Sequence, residues 1–117
     1  MDKHSILTDY EDISVFSGSP TQCIHHLIRG RGLRELADAD GLYIPLTNSE
    51  HNMSSNGKTY QIHDNAVAEK LSKMLGQIAW EENYLADKLA KETEQTNKEW
   101  RTEAREAFRR RYGQCYL

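Results

Sequence analysis

QCIHHLIRG (residues 22–30) sets two histidines side by side in an apolar run and then ends on arginine and glycine. Cys23, Ile24, Leu27 and Ile28 make the run a strand candidate, suited to a pleated, half-buried surface. On a flat strand successive side chains leave on opposite faces, so Cys23, His25 and Leu27 would share one side and Ile24, His26 and Ile28 the other. Regular geometry then admits at most one histidine of the pair to any single site. A bend or bulge at the strand end, which Gly30 and Gly32 permit, would admit both.

Downstream, LYIPL (42–46) is a second strand candidate, and RGRGLRELADADG (29–41) between them reads as a surface loop, too long for a tight turn. TNSE (47–50) fits a capping box in which Thr47 and Glu50 satisfy each other's backbone N–H, opening a short helix that carries His51. After loop chemistry in MSSNGKT and a cap at Asp64 or Asn65, Val67, Leu71, Met74, Leu75, Ile78, Leu85 and Leu89 recur at three- and four-residue spacing, which predicts a helix with one apolar stripe. KETEQTNKE (91–99) loses that pattern, and Trp100, Ala104, Ala107, Phe108 and Tyr112 resume it up to Gly113, a helix C-cap residue. Two helices with a break near Glu92–Thr96 are expected. Upstream, residues 1–12 read as a flexible lead-in, and ISVFSGSPTQ (13–22) as an extended piece with a Gly-Pro turn.

A chain of 117 residues is one small domain's worth. With 38% hydrophobic and 28% charged residues and no long apolar run, it reads as a soluble protein with no membrane partner and no export signal, expected in the cytoplasm. Cys23 and Cys115 are then expected as free thiols. A net charge of −3 gives no global pull on nucleic acid, so any such binding must come from local clusters, of which Arg29/Arg31/Arg34 and Arg105/Arg109/Arg110/Arg111 are the two.

Four of the five histidines, His25, His26, His51 and His63, each fall at the edge of an expected element. Singly, each is more often a surface or satisfied core residue. Jointly, a strand, strand, helix order could bring imidazoles from different elements to one point, as a metal site needs.

In IHHLIRG (24–30), ADADGLYIPLTNSEHN (37–52) and QIHDN (61–65) the chain resembles the HNH, or ββα-metal, nucleases, in particular a group of small phage and prophage proteins. The resemblance covers roughly residues 13–85, with an echo in EAFRRRYGQCYL. It implies an α+β fold: a ββα-metal core of a two-stranded hairpin and helix over 13–90, followed by a helical extension over 91–117 and long C-terminal helices. It implies a DNA endonuclease of a bacterial host cell's cytoplasm, with His26 as general base and His25, His51 and His63 holding a divalent ion (Mg, Mn, Ni or Zn). The chemistry suits these residue types, because an imidazole can take a proton from attacking water while a cation stabilises the charge at phosphorus. Arg29, Arg31 and Arg34 would grip flanking phosphates.

The departures are equally specific. Where many members hold a structural zinc with two C-x-x-C pairs, this chain has Ser14, Ser17, Thr47 and Glu50, so no structural zinc is expected. Packing by Val15 and Phe16, together with the capping box, would take its place. The central Asn that orients the base in many members falls near Gly41 or Leu42, which makes Asp40 the nearest polar candidate for orienting His26. These losses keep a second class open, an HNH-like module that binds nucleic acid or a protein without cutting. A third is a helical interaction protein using its C-terminal stripe as a homodimer face. Arg109–Arg111 as a solvated helix end, and Trp80, Tyr84, Trp100 and Phe108 as core or interface, need no site role.

Overall fold

The structure, a computed structural model, describes residues 4–51, 66–89 and 97–117. β1 (Cys23–His26) and β2 (Tyr43–Leu46) pair antiparallel in the register Cys23↔Leu46, Ile24↔Pro45, His25↔Ile44 and His26↔Tyr43, the only sheet among the described residues. The ladder is regular at the histidines, with no bulge. The segment between the strands is not a loop: α1 (Leu33–Ala39) forms inside it, opened by Gly32 at φ 80° and closed where Asp40 N–H donates to the Leu36 carbonyl. Leu33, Leu36 and Ala37 supply its inward face, an i, i+3, i+4 pattern that glycines on both sides confine to seven residues.

α2 (Asn48–His51) starts as the capping box requires, with Thr47 N–H donating to Glu50 Oε1 at 2.8 Å and Glu50 N–H to Thr47 Oγ1 at 3.4 Å. α3 (Ala66–Leu89) and α4 (Asn97–Tyr112) are the two expected long helices, and Gly113 ends α4 at φ 77° with its N–H on the Arg109 carbonyl. Among the described residues no helix is long and apolar enough to cross a membrane.

The core is shared by the hairpin and α4. Leu27, Ile28, Ala37, Leu42, Ile44 and Leu46 enclose Phe108 and Tyr112, whose rings stack at 4.5 Å, with Trp80 edge-on to Phe108 at 5.5 Å. The C-terminal helix is therefore part of the core, not an extension of it. Residues Ser5 and Ile6 of the lead-in are also tied down, Ser5 Oγ donating to the Tyr43 carbonyl at 2.6 Å and Ile6 N–H to that of Gly41 at 2.9 Å.

α3 overturns one expectation. Of its apolar stripe Val67, Leu71, Leu75 and Ile78 face solvent and Met74 and Leu85 are half-buried, while Ser72, Gly76 and Gln77 are buried. The inner face is polar because it answers polar groups beneath it: Ser72 Oγ donates to the Leu27 carbonyl at 2.8 Å, and Gln77 Oε1 accepts from Tyr116 N–H at 2.6 Å. Gly76 lets the helix lie close on the hairpin, since a Cβ there would stand 2.9 Å from Ile28 Cγ1.

Candidate functional site

His26, the last residue of β1, turns toward α1. Its Nε2 lies 3.0 Å from Asp38 Oδ1, and Arg34 Nε points at its Nδ1 from 3.5 Å. A carboxylate can only accept, so Nε2 carries the proton and Nδ1 the lone pair. These three residues and Glu35 line an open cleft of about 270 Å³. Asp38 was not singled out from the sequence. The signal was there in the i, i+4 spacing of Arg34 and Asp38, which share a face only once the segment is read as a helix.

His25 goes the other way. It is buried at 1% exposure, with Nε2 at 2.9 Å from Ser72 Oγ. Ser72 spends its hydroxyl proton on the Leu27 carbonyl, so it must accept from His25 Nε2–H, which leaves the His25 lone pair on Nδ1. The His51 ring stands edge-on to that of His25 with centroids 5.2 Å apart, close to the ~5 Å expected of two imidazoles on one tetrahedral ion. The structure thus joins His25 with His51 and parts both from His26. His63 lies outside the described residues, and among the described residues no group of three or more ligand side chains converges.

The three arginines also separate. Arg29 is held by Glu69 on α3 through two parallel bonds of 2.8 and 2.9 Å, so gripping a phosphate would cost it that pair. Arg31 is exposed, and Arg34 alone reaches the His26 cleft. Asp40 does not face His26: its carboxylate accepts from Trp80 Nε1, Arg111 Nε and Nη2, and the Tyr112 hydroxyl. The carboxylate against His26 is that of Asp38, not of Asp40. A larger groove between α3 and α4, about 490 Å³, lies away from the histidines, and Glu81, Glu82 and Glu106 offset its Arg101, Arg105 and Arg109. Cys23 and Cys115 are free thiols.

Ser14, Ser17, Thr47 and Glu50 come together. The buried Ser14 hydroxyl donates to Glu50 Oε1 at 2.6 Å and accepts the N–H groups of Phe16 and Ser17, while Thr47 N–H reaches the same carboxylate oxygen. Val15 and Phe16 contribute little packing here, being exposed; hydrogen bonds close this corner. Burial alone would raise the Glu50 carboxyl, but bonds from Ser14, Thr47 and Ser17 outweigh it and hold it below its ordinary 4.5. A depressed carboxyl stabilises the fold above its unfolded value and loses that contribution as pH falls through the folded one, here below pH 4.5. Ser14→Ala should therefore cost about 2 kcal/mol at neutral pH and weaken the dependence of stability on pH below 4.5. Urea melts at pH 7 and pH 3.5 check both; a variant with the wild-type pH dependence would mean the cluster does not tune Glu50.

No protein-family model, curated protein or solved structure matches the chain.

Proposed function

We propose that the chain is an HNH-like phosphodiester hydrolase that nicks or cuts DNA, with His26 as its general base. The observation that carries this reading is the His26–Asp38 pair in an open cleft beside Arg34. With Nε2–H held by Asp38, Nδ1 is turned to receive a proton from water as the water oxygen attacks phosphorus, and the carboxylate stabilises the imidazolium that forms. The long 3.5 Å approach of Arg34 to Nδ1 is a weak bond that a phosphate oxygen can replace, which puts a guanidinium on the charge that builds there. A divalent cation, when bound, supplies Lewis-acid stabilisation of the departing oxygen. The resemblance implies His25, His51 and His63 as its donors; His25 and His51 lie together on the face of β1 away from His26, with the His25 lone pair on Nδ1. Further support comes from Ser14, Ser17, Thr47 and Glu50, which meet in space as the four zinc positions of the resembling proteins must.

Supercoiled plasmid incubated with Mg²⁺, Mn²⁺ or Ni²⁺ should convert to nicked or linear forms, and a chelator should stop it. No metal-dependent conversion with any of the three ions would remove the hydrolase reading. His51→Ala should weaken Ni²⁺ or Zn²⁺ binding by about tenfold or more in calorimetry; equal binding by both proteins would reject the His25–His51 donor pair.

A second reading, a module that binds DNA without cutting, is favoured by the placement of His25 and His26 on opposite faces of β1. It predicts a retarded DNA band in gel shifts with no metal-dependent cutting.

A further inference from the structure

Arg34 covers the atom that His26 would use as a base. With Nε2–H committed to Asp38, the lone pair of His26 lies on Nδ1, and Arg34 Nε–H points at it from 3.5 Å. An attacking water needs that same lone pair to receive its proton, so the guanidinium and the water exclude each other. The bond is long and therefore weak, and Arg34 is exposed on α1, so it can swing aside without disturbing the core. The His26 side chain is 12% exposed, which leaves the occupant of Nδ1 to decide whether the lone pair can be reached.

Charge in the cleft decides what lifts this cap. Among the described residues that line it, Arg34 is positive while Glu35 and Asp38 are negative. An anion entering there is repelled by both carboxylates unless it engages the guanidinium. A guanidinium meets a phosphate through two parallel N–H groups, a stronger contact than one long bond to an imidazole. A neutral ester offers it no such exchange and leaves the cap in place. We infer that Arg34 makes the site selective for charged phosphates: it covers the His26 lone pair in the free protein, and an anionic phosphodiester draws it away. The base then opens to water when a charged phosphate is seated, and the same guanidinium faces the charge that builds at phosphorus. The phosphodiester as substrate rests on the hydrolase reading, whereas the cap rests on the contact between Arg34 and His26 alone.

A neutral and a charged probe test this together. p-Nitrophenyl acetate is a neutral ester that an accessible imidazole hydrolyses without a metal ion: the lone pair attacks the acyl carbon, nitrophenolate departs, and water then releases acetate. Its cleavage is followed at about pH 8, above the ordinary imidazole pKa, and the rate of His26→Ala is subtracted to remove the other histidines and the amines. Arg34→Ala should raise this His26-dependent rate by about two- to tenfold, the worth of one hydrogen bond. The same variant should slow metal-dependent plasmid nicking by about 10²-fold, because the guanidinium at phosphorus is lost. A merely structural role would lower both rates. Inorganic phosphate should raise the neutral-ester rate of the wild-type protein, chloride at equal ionic strength should not, and Arg34→Ala should respond to neither. A neutral-ester rate that is unchanged or lower in Arg34→Ala overturns the cap, and a wild-type protein indifferent to phosphate overturns its release by an anion. Both ester results as expected, in a protein that nicks no plasmid, would uphold the cap and remove the hydrolase reading.

Discussion

His26→Ala should slow metal-dependent plasmid nicking by about 10²- to 10⁴-fold, the usual contribution of a positioned general base. Its side chain is 12% exposed and sits at the hairpin's end, in contact with the Tyr43 ring at 5.9 Å. Removing it loses that contact together with the bonds to Asp38 and Arg34, so rates are compared per folded molecule, well below each protein's melting point, and the remaining loss is assigned to chemistry. Asp38→Asn should act through His26. It keeps an acceptor for Nε2–H but removes the charge that stabilises the imidazolium, and the rate should fall by about 10- to 100-fold. Imidazole added to the buffer should partly restore His26→Ala and should do nothing for Asp38→Asn, which still has its ring. Cleavage that survives His26→Ala at the wild-type rate would show that a different group takes the proton.

The parts of this molecule legible in the sequence are those where local chemistry decides structure. The Thr47/Glu50 capping box needs only four consecutive residues and forms as expected. The Ala104, Ala107, Phe108 and Tyr112 stripe with its Gly113 stop pointed inward as its period said. The alternation rule for β1 also held: regular pleating sends His25 to Ser72 and His26 to Asp38. What misled was length and burial. α1 has seven residues between glycines, so its period was too brief to stand out, and with it went the i, i+4 pair of Arg34 and Asp38. In α3 the strongest apolar period in the chain marked the outer face, because the inner face is occupied by Ser72 and Gln77 in the service of the hairpin and tail. Hydrophobic period reports that a helix has an apolar side, and it is silent on which neighbour covers it. The convergence of Ser14 with Glu50 rests on a bond across thirty-six positions of sequence, beyond any local signal.

Asp40→Ala should lower stability by about 3 kcal/mol and reduce the melting temperature by roughly 10 °C in a chain of this size. The Asp40 carboxylate, at the C-cap of α1, receives bonds of 3.0 Å from Trp80 on α3, 2.6 and 2.6 Å from Arg111, and 2.8 Å from Tyr112, both on α4. The Arg111 pair is part-exposed, 39% on its side chain, and contributes at most about 1 kcal/mol after screening by solvent. Most of the cost comes from the buried Tyr112 hydroxyl and the Trp80 N–H, which would lose their acceptor in a place that water reaches poorly. Burial, and then the bond to Asp40, push the Tyr112 phenol well above its ordinary 10.0. A raised phenol stabilises the fold below its unfolded value and loses that contribution as pH rises beyond 10, so wild type should weaken in alkali and Asp40→Ala should weaken less steeply. Asp40→Asn keeps one carbonyl for Tyr112 and should fall between the two in thermal melts. Activity separates this latch from a role in orienting the base: well below its melting point, Asp40→Asn should nick at the wild-type rate per folded molecule, whereas Asp38→Asn should not. An Asp40→Asn protein that is fully folded yet as slow as Asp38→Asn would return the orienting role to Asp40.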